Sequence, residues 1–220
     1  MTPDVPPSLR DVIERDLRPT RPLRSPSVRA LALVPLAAAI VVAVPALHFF
    51  RPDLRAIGVV RAWGFSSGQA LAGLVIVCLA LRESIPGRAL SRTALVWTVA
   101  GGLALPFVLL ALTASTFDIG PRPGDALAEG AACFRISALA AVPALLIAAI
   151  LAGRAFPLRP AVAGALYGLG CGLVADAGLR LYCDYSVPMH VLFAHGGARL
   201  GVMLAGAAVA VIVARAKHEG

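Results

Sequence analysis

Charge is scarce in this chain: 15% of its 220 residues are Asp, Glu, Lys or Arg, against about a quarter in an ordinary soluble domain. Other absences narrow the chemistry. The four cysteines, Cys78, Cys133, Cys171 and Cys183, form no C-x-x-C pair and no zinc-ribbon spacing. A dithiol oxidoreductase is therefore not expected. No nucleophile stands with a base in a hydrolase-like constellation, and no three-plus-three repeat of the kind built into many transporters is visible. A secretory leader is not expected either, because the first 28 residues are polar, proline-rich and arginine-rich, unlike a signal peptide. The chain reads as a non-enzyme, and nothing in it implies a cofactor.

What is present is apolar. Hydrophobic residues make up 59% of the chain and the mean hydropathy is +0.82. They come in runs of spanning length rather than at amphipathic spacing, which is the signature of transmembrane helices. Six segments can be drawn, at 30–50, 60–81, 93–113, 131–152, 160–182 and 188–214. Each is long enough, at ~1.5 Å per residue, to cross a hydrocarbon core of about 30 Å. The expected fold is an all-α integral membrane protein, a bundle of six transmembrane helices spanning the lipid bilayer. Residues 29–214 form the membrane domain, 1–28 a cytoplasmic N-terminal tail, and 215–220 a short cytoplasmic C-terminal tail.

The net charge of +8 is almost all arginine and sits between the apolar runs, so direct nucleic-acid binding is not expected. Placed by span, thirteen of the twenty arginines and lysines fall on the side of the two termini. Six fall on the opposite side, and Arg199 lies inside a span. The positive-inside rule then places both termini in the cytoplasm. Small residues recur every four positions at Gly64 and Gly68, at Gly164, Gly168 and Gly172, and at Gly197, Gly201 and Ala205. In lipid such seams let helix backbones approach closely, although for Gly64 and Gly68 the abundance of glycine in membrane helices is an almost equal explanation.

The tail stretch PPSLRDVIERDLRPTRPLRSP reads as a short helix followed by a proline-punctuated linker, with Ser8 as cap. Leu9, Val12, Ile13 and Leu17 form one apolar stripe, with Arg10, Glu14, Arg15 and Arg18 opposite. A helix this short is marginal alone in water, so a membrane surface or a protein groove is expected to order it, the alternative being a disordered leader that only enforces topology.

On the outer side, the topology puts Cys133 and Cys183 at the same level although 50 residues separate them. Four readings stay open: a structural disulfide, a reactive pair made thiolate by nearby Arg135 and Arg180, a soft-metal site with His190 or Asp184, and coincidence. Cys78 and Cys171 behave as small apolar residues. Asp176 and His195 lie about 10 Å below the outer boundary at the helical rise, with Arg199 one turn past His195. Ionisable groups at that depth are costly and usually have partners. A cluster of Asp176 with His195 or Arg199 is expected, the alternative being an Asp176–Arg180 pair with Arg199 reaching for the interface.

Several of these elements, in order along nearly the whole chain, resemble one family. DLRPT (16–20) follows the tail helix, FFRPDL (49–54) follows the first span, Cys133 heads the fourth span, and YCDYSVP leads into a span with His195. This is similar to the NrsF family of six-span bacterial membrane proteins, negative regulators of sigma F-type extracytoplasmic-function sigma factors. The family's turn usually reads His-Cys-Pro-Glu; Tyr182, Cys183, Asp184 and Tyr185 stand here, so only the cysteine persists. The resemblance implies a multi-pass anti-sigma factor of the inner membrane whose cytoplasmic parts hold such a sigma factor. Its two outer cysteines, Cys133 and Cys183, would sense heavy-metal or oxidative stress, with a soft metal ion as one signal. The sigma-binding candidates are then Leu9, Val12, Ile13 and Leu17 with Asp16, Arg18 and Pro19. The competing reading is a small ion-coupled transporter using Asp176, His195 and Arg199.

Overall fold

The computed structural model describes residue 11 and residues 23–114, 126–153, 155, 157–184 and 187–219. Each apolar run is a helix, and among the described residues every regular element is helical. Six helices are long and apolar enough to cross a membrane: α1 (Pro26–Leu47), α2 (Val59–Glu83), α3 (Arg92–Thr113), α4 (Gly130–Ala152), α5 (Pro160–Arg180) and α6 (Pro188–Ala216). They fall within a few residues of the segments drawn from hydropathy. The tail stripe and its candidates Leu9, Val12, Ile13, Asp16, Leu17, Arg18 and Pro19 lie outside the described residues.

Local chemistry sets the helix ends. The Ser25 hydroxyl accepts from the Val28 amide at 3.4 Å, capping α1, and Pro26 follows in the first turn, where its missing N–H costs nothing. After a turn at Ala32 and Leu33, α1 resumes at Val34 with Pro35 again in the first turn. Between α1 and α2 the chain makes one helical turn, Leu54–Ile57, and then passes through Gly58 at φ 88°. A side chain is strained in that left-handed region.

The bundle is organised around α5. Sixteen of its 21 residues are buried, and α6, α2, α4 and α1 all pack against it. The outer helices carry bulky apolar side chains on their exposed faces, Trp97, Leu139, Ile150 and Ile212 among them. These faces are apolar, whereas Asp176, His195 and Arg199 are buried inside the bundle, the reverse of a water-soluble domain.

Close approach to α5 depends on glycine. A Cβ at Gly168 would lie 2.3 Å from the Val202 carbonyl oxygen and 2.6 Å from the Met203 Cα; one at Gly164 would lie 2.3 Å from the Gly206 oxygen. The predicted seam 164–168–172 is therefore the α5–α6 contact. The seam Gly197–Gly201 turns the other way, toward the Phe134 ring of α4. Gly64 and Gly68 have nothing within 4 Å of a built Cβ, so they form no packing seam. The α2–α5 crossing lies further along α2, where a Cβ on either Gly73 or Gly170 would lie 2.6 Å from the other's carbonyl oxygen.

A polar clasp closes the end of the bundle away from the cysteine pair. Buried Glu83 accepts from the Leu90 amide at 2.7 Å and from Arg159 Nε at 2.7 Å. Arg159 also donates to the Leu90 carbonyl at 2.9 Å, and Ser84 pairs with the Tyr167 hydroxyl at 3.0 Å. The α2–α3 connection is thereby tied to the start of α5.

Candidate functional site

Two groups of residues that the sequence suggests separately meet in one buried cluster. Cys133, near the start of α4, and Cys183, in the turn after α5, bring their sulfur atoms to 3.6 Å. Neither is in a disulfide, and both are buried. The Cys183 sulfur also lies 3.4 Å from Nε2 of His190. On the far side, His195 Nδ1 is 2.6 Å from Asp176 Oδ1. Arg199 donates to Asp176 Oδ2 at 2.6 Å, and the Gln69 amide donates to the same oxygen at 2.7 Å.

His195 joins the two halves because of how α6 begins. Residues Val191–Gly196 form a π-helical segment, in which hydrogen bonds close over five residues rather than four. Five residues of regular α-helix would place two side chains roughly 140° apart around the axis. Here the rings of His190 and His195 meet edge to face, with centroids 5.6 Å apart. The ligand atoms of Cys133, Cys183, His190 and His195 consequently all lie within 4.8 Å of one another. These four are the described residues able to hold a metal ion together. Asp184, weighed from the sequence as an alternative ligand, is not among them.

Asp176 is 1% exposed and Arg199 is 1% exposed. A buried carboxylate needs its charge matched and its lone pairs occupied. Arg199 supplies the opposite charge; His195 and Gln69 supply the remaining hydrogen bonds. The Phe107 ring lies 5.9 Å from the Arg199 guanidinium carbon, within cation–π range. The structure thus brings Asp176, His195 and Arg199 together across α5 and α6. Arg199 does not reach for the interface. Arg180 turns instead to Gln69 Oε1 at 3.3 Å and the Pro106 carbonyl at 3.1 Å.

Gln69 is the member that sequence reasoning missed. An isolated glutamine in an apolar run gives only a weak signal. It is fully buried, and Ser66 one turn earlier bonds the Ala177 carbonyl at 2.8 Å, so one polar face of α2 serves α5. The connection between α1 and α2 completes the roof. The Arg51 amide donates to the Leu181 carbonyl at 3.0 Å, and its side chain to the Arg180 carbonyl at 3.2 Å. Tyr182, where the family turn carries histidine, packs its ring against His48 and Phe49 at 5.2 and 4.7 Å.

The thiol pair differs from one sequence expectation. The hydrogen bond shared with Cys133, which favours the protonated form, and burial push the Cys183 thiol up to about 12, against the opposing pull of His190 and His195. Arginine-assisted thiolate formation is not what the site shows: Arg180 is committed elsewhere and Arg135 is exposed.

The fold and the cluster define an all-helical protein of six membrane-length helices with a buried thiol, imidazole and carboxylate centre. The chain belongs to the NrsF family, described as negative regulator of sigma F, which matches residues 14–215. No curated protein and no solved structure matches it. Family membership makes the chain a negative regulator of a sigma factor.

Proposed function

We propose that this protein is a multi-pass inner-membrane anti-sigma factor that sequesters an extracytoplasmic-function sigma factor and releases it when Cys133 and Cys183 react. The observation that carries the reading is the 3.6 Å approach of the two sulfur atoms from different segments of the chain, within a family of negative regulators of sigma F. Chemistry at that pair links α4 to the α5–α6 turn. Because α5 packs against all five other spans, a shift there has a direct mechanical route to the clasp at the opposite end. The tail residues Leu9, Val12, Ile13 and Leu17, with Asp16, Arg18 and Pro19, are the proposed grip on the sigma factor. Signalling of this kind needs two packings with different contacts, and the glycine-lined α5–α6 surface suits such a change.

The transporter reading has less support. Both Asp176 oxygens are occupied by Arg199, His195 and Gln69, which suits a fixed clamp better than a site that loads and unloads ions.

Purification from the native membrane in mild detergent tests the reading. A sigma factor is expected to co-purify and to be lost when residues 1–25 are deleted. Cys133→Ser and Cys183→Ser are each expected to abolish its release by cadmium or peroxide. A protein that carries no sigma factor, or single-serine variants that still release it normally, would overturn the proposal.

A further inference from the structure

We infer that Cys133, Cys183, His190 and His195 form a four-ligand tetrahedral site for a thiophilic closed-shell cation of the zinc and cadmium class, with Asp176 orienting His195 from behind. Metal binding becomes the work of four side chains rather than of the cysteine pair alone. The inference deepens, and rests on, the reading of Cys133 and Cys183 as the sensing pair.

The distances carry it. A tetrahedral zinc ion with Zn–S of about 2.3 Å and Zn–N of about 2.1 Å requires an S···S edge of roughly 3.8 Å and an S···N edge of roughly 3.6 Å. The chain presents Cys133 Sγ···Cys183 Sγ at 3.6 Å and Cys183 Sγ···His190 Nε2 at 3.4 Å. All four ligand atoms lie within 4.8 Å of one another and all four residues are buried. Two thiols held only by packing have no need of two imidazoles at coordination distance.

His195 provides an independent observation. It is 7% exposed, and its Nε2 faces the Cys183 thiol rather than any nitrogen or oxygen partner among the described residues. Its Nδ1 bonds to Asp176 Oδ1 at 2.6 Å. A carboxylate only accepts, so Nδ1 carries a proton and Nε2 is the nitrogen that faces the cluster, with a lone pair for a metal when the ring is neutral. A carboxylate behind the far nitrogen of a ligating imidazole is the usual second layer of a zinc site, where it fixes the tautomer and ring orientation. Gln69 and Arg199 fix Asp176 in turn.

The ligand set selects the ion. Two thiolates and two imidazoles favour tetrahedral zinc or cadmium over magnesium or calcium, which take oxygen ligands. On binding, a divalent cation forms two metal–thiolate bonds, two thiol protons leave to water, and the loaded centre is neutral, as apolar surroundings favour. With four protein ligands there is no open position, so the site holds an ion rather than catalysing with it. A cavity of about 30 Å³ reaches Cys183 and His195 past Arg51, Thr113 and Arg180. It has room for one or two waters beside the site.

The test uses the full chain, reduced, stripped of metal, purified in detergent without any sigma factor, and titrated with cadmium or cobalt. One ion per chain is expected, with a cadmium–thiolate charge-transfer band, a cobalt spectrum of tetrahedral type, and X-ray absorption showing two sulfur and two nitrogen neighbours. Cys183→Ser and His190→Ala are expected to weaken binding at least tenfold, and Asp176→Asn by roughly 10–100-fold; Cys78→Ser is expected to leave it unchanged. Asp176→Asn also disturbs Arg199, so helical circular dichroism accompanies each variant, and His190→Ala decides the matter if Asp176→Asn unfolds. No bound ion, or His190→Ala and His195→Ala variants that bind as tightly as the parent, would overturn the site. Metal bound without sigma release would sink the sensing reading and leave the site standing. Sigma release that needs both cysteines in a protein that binds no metal would sink the site alone.

Discussion

His195 and Asp176 share a 2.6 Å hydrogen bond across the α5–α6 interface, and through it the thiol pair and the buried charges become one structure. The bond uses Nδ1 of the ring, leaving Nε2 to face the cysteines. Asp176 meanwhile neutralises Arg199, so one carboxylate serves both the centre and the packing of the helix behind it.

Removing that carboxylate is therefore expected to cost far more than a lost surface pair. In Asp176→Ala the Arg199 guanidinium stays buried without its counter-charge, and a broken buried pair typically costs about 3–5 kcal/mol. Thermal unfolding in detergent should show the variant melting well below the parent. The double variant Asp176→Asn/Arg199→Met, which removes both charges, should recover part of the loss. A double variant no better than Asp176→Ala would show that the pair does not behave as a unit.

The glycines provide a sharper contrast, because two of the same residue type on similar helices have opposite surroundings. Gly168→Ala forces a methyl to 2.3 Å from the Val202 carbonyl oxygen, so the α5 and α6 backbones must separate. Overpacking of this kind costs about 1–3 kcal/mol. Gly64→Ala meets nothing within 4 Å and should be neutral, or stabilising by up to ~1 kcal/mol from helix propensity. Unfolding midpoints of the two variants, measured side by side, check both signs.

How much of this was legible in the sequence depends on what each signal reports. The six helices were, because an unbroken apolar run reports the need to avoid water. The level shared by Cys133 and Cys183 was, because it follows from counting spans. The central position of α5 was not: its mean hydropathy of 1.5 is the lowest of the six although 89% of its window is buried. Hydropathy reports contact with lipid, whereas a helix surrounded by helices uses glycine, alanine and paired charges. The meeting of His190 with His195 was also hidden, since α-helical periodicity puts those residues on different faces and only the π-helical segment aligns them. Gly64 and Gly68 misled for the converse reason: a small-residue spacing permits a close contact without requiring one.

Glu83 sits on the clasp that ties the α2–α3 connection to the start of α5, and its loss should be felt locally. Glu83→Ala strands the Leu90 amide and frees Arg159. An unsatisfied buried donor costs about 1–3 kcal/mol. Trypsin should then cut faster at Arg88 and Arg92, while cuts in the rest of the chain keep their rate. Equal acceleration at every site would mean the clasp is part of global stability rather than a local tie.

The direction of insertion decides which end of the bundle meets the signal. The arginine distribution predicts both termini in the cytoplasm, an orientation that would put Cys133 and Cys183 on the outer side and the Glu83 clasp on the inner side. A fluorescent protein that folds only in the cytoplasm should light up when fused after Gly220 and stay dark when inserted at residue 120. A periplasm-dependent phosphatase should give the opposite pattern at the same two positions. The charges that set this are themselves testable. Replacing Arg82, Arg88 and Arg92 with glutamine removes three of the thirteen positive residues on the terminal side. Because the remaining ten still exceed the six opposite, the pattern should hold. Adding four lysines to the loop at residues 115–125 while removing those three leaves ten on each side, and mixed orientation should follow. A reversed pattern in the unaltered chain would place the thiols in the reducing cytoplasm, where an outer-face signal could not reach them.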